Sequence, residues 1–233
     1  MDADAKIAAL EAKLAALEHK VTLLDDWQAI RRLHFLYGYF IDKCLYQEVV
    51  DLFADDGEVW FFGGKFKGKA GVARLYIGRF RKVFTGDLNG PVDGFLLDHP
   101  QMQDVIDVAP DGKSAKARIR ALMQAGRHVD YGEKRQWWEG GIYENEYVKE
   151  DGIWKIKILN YMPQWNADFD TGWAETKPNY VAFITKTLAD GDPNGPDELI
   201  ADTWLWPEHR VVPFHNMHPV TGKPIVPQVA PKK

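Results

Sequence analysis

The chain has 233 residues, 45% of them hydrophobic, and a formal net charge of −5 with no basic cluster. Such a chain fits one domain with extensions or two small ones, with apolar residues enough for a core. The charge balance argues against nucleic acid as a partner, and the single cysteine, Cys44, excludes an internal disulfide.

Residues 1–25 carry an apolar heptad: Ile7, Leu10, Leu14, Leu17, Val21 and Leu24, with Lys and Glu between. That is the seam of a short coiled coil. It predicts an oligomerisation helix and a homo-oligomer, dimer or trimer; the alternative is an amphipathic helix folded onto its own domain. Met1 to Lys6 lead into no apolar signal core, and no run is long enough to span a membrane. The expected location is cytoplasmic, with no membrane partner. Asp25 or Asp26 is positioned to cap a second helix over 26–44. A short third helix follows over 46–53, ended by Ala54-Asp55-Asp56-Gly57. Glu58 to Phe62 reads as a strand, with Gly63-Gly64 turning it into Lys65 to Lys67. A helix over 69–84 has an apolar stripe of Val72, Leu75, Tyr76, Phe80 and Val83, and Arg79 falls on that stripe.

Four strands are predicted next, over 94–109, 114–129, 135–149 and 153–162, divided by turn signals such as Pro110-Asp111-Gly112 and Glu150-Asp151-Gly152. Ala115, Ala117 and Ile119 alternate with Lys116, Arg118 and Arg120; Trp154, Ile156 and Ile158 alternate with Lys155 and Lys157. Helices followed by a meander of long antiparallel strands spell an α+β fold, a curved sheet wrapped on helices around an apolar cone. The expected divisions are 1–25 (coiled-coil helix), 26–165 (core domain) and 166–233, an extension rich in proline and tryptophan. That extension is expected to lie over its own or a neighbour's pocket, with a short helix near 180–188.

Nine Trp, nine Tyr and twelve Phe suggest a large apolar pocket for an aromatic small molecule. Asp42 interrupts an apolar helix stripe, and His99 opens a strand. A carboxylate that holds an imidazole N–H fixes its tautomer and raises its basicity, so this pair can move a proton without a cofactor. Tyr39, three residues before Asp42, shares its face as a candidate proton donor. Arg79 is a candidate anchor for a phenolate, or a salt-bridge partner of Asp42 or Glu139. Trp137, Tyr143 and Asn160 are candidates to line the cone, Asn160 by sharing parity with Ile156 and Ile158. His215 and His218 lack a third nearby ligand, so no metal is expected. There is no Gly-rich phosphate loop and no serine nucleophile elbow.

The order of the Asp42 helix, Leu52-Phe53-Ala54-Asp55-Asp56-Gly57-Glu58 and Lys67-Gly68-Lys69-Ala70-Gly71 resembles the NTF2-like superfamily, in its SnoaL-like branch. Gly141-Ile142-Tyr143 through Asp151-Gly152-Ile153-Trp154-Lys155-Ile156 resembles that family's closing hairpin. The resemblance implies a cone-shaped α+β barrel and cofactor-free chemistry. In the scytalone dehydratase and dehydrochlorinase branch an Asp on the first core helix pairs with a His on a strand; the matching positions are Asp42 and His99. Those relatives often carry Asn four residues after the His, where this chain has Gln103, and Ile41 replaces the Tyr that precedes the Asp in scytalone dehydratases. The aromatic load and the tail also resemble lyases that dehydrate lignin-derived diarylpropanes to stilbenes with loss of formaldehyde. A steroid or polyketide isomerase or cyclase, or a non-catalytic oxygenase small subunit, is the alternative that the superfamily implies.

Overall fold

The structure, a computed structural model, describes residues 2–177, 192–200, 205–208 and 211–227. Its first element corrects the expectation of two helices. α1 is one continuous helix, Ala3–Asp42. Asp26 does not cap a new helix. It is buried in mid-helix, where it accepts the Trp154 indole N–H at 2.8 Å and the Lys149 ammonium at 2.5 Å. N-terminal to this anchor, residues 2–22 are exposed throughout. C-terminal to it, Ile30, His34, Tyr37 and Ile41 are buried.

α2 (Tyr46–Asp51) leads into β1 (Phe53–Phe61), which starts earlier than its sequence suggested. The turn into β2 (Gly64–Lys67) is Phe62-Gly63, with φ of 42° and 88°. The next helical stretch is continuous but not uniform. α3 (Gly68–Ala73) passes into a π-helical segment, Arg74–Arg81, and then α4 (Lys82–Thr85). A π turn closes i→i+5 and so takes one residue more than an α turn. The stripe therefore slips: Leu75, Tyr76 and Phe80 remain inside, but Phe84 follows them inward and Val83 faces solvent.

The predicted 94–109 strand is broken at His99-Pro100 into β3 (Phe95–Asp98) and β4 (Gln101–Val108). β5 (Ser114–Arg127), β6 (Arg135–Glu150) and β7 (Ile153–Asp168) are long and antiparallel. The sheet order is β3-β5-β6-β7-β1-β2-β8, with β4 also paired to β5. β1 runs parallel to β7, so the sheet is mixed. The helices fill its concave side. Ala115, Ala117, Ala121 and Ala125 are buried on the inner face of β5.

β7 contains two bulges. Opposite Glu146-Tyr147 it carries the extra residue Lys157, and opposite Gly140-Gly141 the extra residue Gln164. Each flips the inward parity. Ile156 is inside before the first, Leu159 and Tyr161 after it, and Asn166 after the second.

The described parts of the extension lie on the body of this chain. β8 (Glu198–Leu199) pairs with β2, and Glu198 bonds Lys65 and Lys67. Asp197 bonds Arg74 at 2.5 Å. Farther on, Arg118 donates to the carbonyls of Val212 and Pro213 and to Glu144, and His215 bridges Glu144 and Asp107. Those two carboxylates raise the His215 pKa against the pull of burial. The expected helix near 180–188 lies outside the described residues.

Candidate active site

The concave side of the sheet encloses an aromatic chamber. Tyr37, Tyr46, Phe61, Tyr76, Phe80, Phe84, Phe95, Trp137, Tyr143 and Tyr161 supply its walls, and its polar ends are His99 and Glu139. Its free volume is about 50 Å³. His99 also lines a wider outer cleft of about 340 Å³, with Phe35, Gly38, Tyr39, Asp42, Asp98 and Gln101. The imidazole therefore borders both cleft and chamber.

Asp42 meets His99, but not as expected. Its Oδ1 accepts the His99 backbone N–H at 2.7 Å, so the carboxylate holds the main chain of His99 rather than its ring. The break at Pro100 is the reason. With the strand interrupted, the His99 N–H has no ladder partner, and a side chain satisfies it instead. The other side of the peptide is held too: Gln101 Nε2 donates to the His99 carbonyl at 2.8 Å. Gln101 reaches across α1 at Gly38, where a Cβ would lie 2.6 Å from its Cγ. The amide near His99 is thus Gln101, not Gln103, which is exposed on β4.

Gln101 Oε1 also accepts from His34 Nε2 at 2.8 Å. Tyr147 OH lies 3.1 Å from His34 Nδ1, and Asn145 donates to Tyr147. His34 is therefore bonded at both nitrogens. His99 is not: its buried Nε2 has no hydrogen-bond partner. Burial lowers the pKa of His34 to about 4 and of His99, with a smaller push from His34, to about 3. Both imidazoles are neutral at pH 7. Burial, opposed by the His99 N–H, raises Asp42 to about 6.

At the other end, Glu139 is fully enclosed. Tyr161 OH donates to its Oε1 at 2.7 Å and Asn166 Nδ2 to its Oε2 at 2.5 Å. Burial outweighs these bonds and lifts its pKa to about 7. Tyr161 and Asn166 differ in strand parity, and only the bulge at Gln164 brings both onto one carboxyl. The tyrosines join the two ends. The Tyr143 and Tyr161 rings are 4.7 Å apart, and the His99 ring is 5.9 Å from that of Tyr161. Tyr37 OH lies 3.1 Å from Tyr76 OH and 3.4 Å from Tyr143 OH.

Of the sequence candidates, His99, Trp137 and Tyr143 line this chamber. Tyr39 does not: it is 71% exposed on the outer cleft, and Tyr37 is the α1 tyrosine that faces inward. Arg79 lies on the π segment outside the chamber lining, with Asp192 as its electrostatic neighbour. Asn160 is turned away because Lys157 shifts the parity of β7; its backbone N–H donates to Asn145 Oδ1 at 3.0 Å. Glu139 was named only as a partner for Arg79, although it shares the parity of Trp137 and Tyr143. An acidic residue at inward parity between two aromatics was the signal. Among the described residues no three or more His, Cys, Asp or Glu form a group suited to a metal.

With this geometry in view, the comparisons place the chain. The model of the SnoaL-like domain matches residues 22–160. The chain belongs to this family, a branch of the NTF2-like fold. A search of curated protein sequences returned no match. Among solved structures it is similar to a protein described as a scytalone dehydratase from Novosphingobium aromaticivorans. The identity is 24% and the TM-score 0.51, over 64% of this chain and 91% of that one. It is also similar to a hexachlorocyclohexane dehydrochlorinase from Novosphingobium barchaimii. There the identity is 17% and the TM-score 0.53, over 71% of this chain and 99% of that one. A second such dehydrochlorinase matches at 18% identity and TM-score 0.53, over 64% and 93%.

Proposed function

We propose that the chain is a cofactor-free lyase that removes water from a bulky hydroxylated aromatic molecule. One observation carries the reading: a neutral imidazole with an unpartnered Nε2 and a carboxyl with a pKa near 7 face the same aromatic chamber. In a dehydration, His99 takes a proton from the substrate and Glu139, in its acid form, gives one to the departing hydroxyl. A C=C bond forms, the C–O bond breaks, and water leaves. The resting pKa order resets the pair, because a proton on His99 passes downhill to Glu139. The imidazolium formed in the step faces a new carboxylate, which offsets its desolvation. The apolar walls exclude bulk water and strengthen both contacts. The Tyr37–Tyr76 hydroxyl pair replaces Arg79 as the group that receives a substrate phenol.

The particular substrate that suits this chemistry is a lignin-derived diarylpropane diol. Departure of the benzylic hydroxyl as water, protonated by Glu139, with the para-phenol giving up the proton that His99 accepts, turns that ring into a quinone methide. Cleavage of the terminal carbinol carbon as formaldehyde then returns the electrons and leaves a stilbene, so the diol gives stilbene, water and formaldehyde. In this reading one ring of such a molecule enters the chamber and the other lies in the outer cleft, with His99 bordering both. The family resemblance to dehydratases and dehydrochlorinases agrees with eliminations of this type. The test is incubation of the purified protein with phenolic diaryl diols and steroid-like alcohols, followed by mass spectrometry for loss of water or formaldehyde. Product formation that disappears in His99→Ala and Glu139→Gln supports the reading. Turnover that survives both changes rejects it.

A further inference from the structure

The first half of α1 presents a complete apolar seam to solvent. Ile7, Leu10, Leu14, Leu17, Val21 and Leu24 are 54–65% exposed among the described residues. A continuous leucine seam left wet is a liability. The charges beside it specify what covers it. With Ile7, Leu14 and Val21 at a and Leu10, Leu17 and Leu24 at d, all three g positions are Lys6, Lys13 and Lys20. The e positions that follow are Glu11, Glu18 and Asp25. In a parallel, in-register pair, g of one helix meets the next e of the other, which gives Lys6 with Glu11, Lys13 with Glu18 and Lys20 with Asp25, each twice. In an antiparallel pair g meets g and e meets e, so every flanking contact is repulsive. The same pattern disfavours a partner helix with the opposite charge order.

We infer that this seam docks the same seam of a second copy of the chain, in parallel and in register, as a two-stranded coiled coil. Two of the three a positions, Ile7 and Val21, are β-branched, the third is Leu14, and Leu fills every d, a composition that favours two strands. The pattern stops where the domain starts. The next d position is Arg31, which bonds Asp104, and Asp26 is already tied to Trp154 and Lys149. The seam therefore serves association alone, and the two domains emerge at the same end of the coil.

The test uses the full chain. Light scattering is expected to give the mass of two chains, falling to one in the Leu10→Asp, Leu17→Asp double variant. That variant should keep its thermal transition, since both residues are exposed on this chain. Orientation is read from Leu10→Cys under mild oxidation; the native Cys44 is buried. Parallel register sets the two new thiols side by side, and a disulfide-linked pair is expected. Antiparallel pairing would set residue 10 opposite residue 21, leaving the thiols about 16 Å apart, beyond any disulfide. A single-chain native mass or no cross-link overturns the inference, and a three-chain mass overturns the two-stranded count.

Discussion

The two sides of His99 hold buried polar groups in opposite condition. On the α1 side, His34, Gln101, Asn145 and Tyr147 form a closed circuit in which both ring nitrogens of His34 are bonded. On the chamber side, the His99 Nε2 is left open and Glu139 is held near half-ionisation. Burial penalises both histidines in the same sense. Only His34 is compensated by hydrogen bonds at both ring nitrogens, so it stabilises and aligns; His99 retains an open Nε2 that a substrate can use.

That contrast is open to attack by mutation. The largest expected effect is on turnover: His99→Ala lowers kcat by about a hundred- to ten-thousandfold, with an unchanged fold by circular dichroism. Glu139→Gln lowers kcat by about a hundredfold and removes a pH dependence. Wild-type kcat/KM falls as pH rises through about 7 because the acid form is lost, and the variant's profile is flat there. His34→Ala does the reverse of His99→Ala. It opens a cavity and removes the His34 bonds of Gln101 Oε1 and Tyr147 OH, which costs about 2–4 kcal/mol of stability in urea denaturation.

Glu139 also marks the stability profile. Its folded pKa of about 7 exceeds the ordinary 4.5, so the folded state holds the extra proton. Its contribution is intact below pH 4.5 and declines as pH rises to about 7. Glu139→Gln should therefore gain stability over wild type at pH 8 relative to pH 4, by about 3 kcal/mol for a shift of this size. The smallest effect belongs to Asp42→Asn, whose amide oxygen still accepts the His99 N–H. A loss below about 1 kcal/mol is expected; a large loss of activity would return Asp42 to the proton-transfer pair.

The sequence was most legible where periodicity ran unbroken. The heptad of α1, the alanine alternation of β5 and the shared parity of Trp137 and Tyr143 all describe the faces observed. It misled wherever a backbone irregularity reset the count. The bulge at Lys157 exchanged Asn160 for Tyr161, and the π segment exchanged Val83 for Phe84. Neither leaves a reliable trace in one sequence, since the extra residue is paired with nothing. Asp42 and His99 were correctly placed together, but ring contact and backbone contact satisfy the same sequence pattern. The choice between them depends on the strand break at Pro100.

The pairing of β8 with β2 bears on solubility. Without β8, β2 would end the sheet, and its outer N–H and C=O groups would be a template for strands of other molecules. Two residues of the extension, Glu198 and Leu199, occupy that edge, and Asp197 and Glu198 neutralise Lys65, Lys67 and Arg74 beside it. A chain cut before Asp192 would keep the residues that line its aromatic chamber but expose a bare strand flanked by lysines. The extension thus acts as a built-in guard against edge-to-edge aggregation.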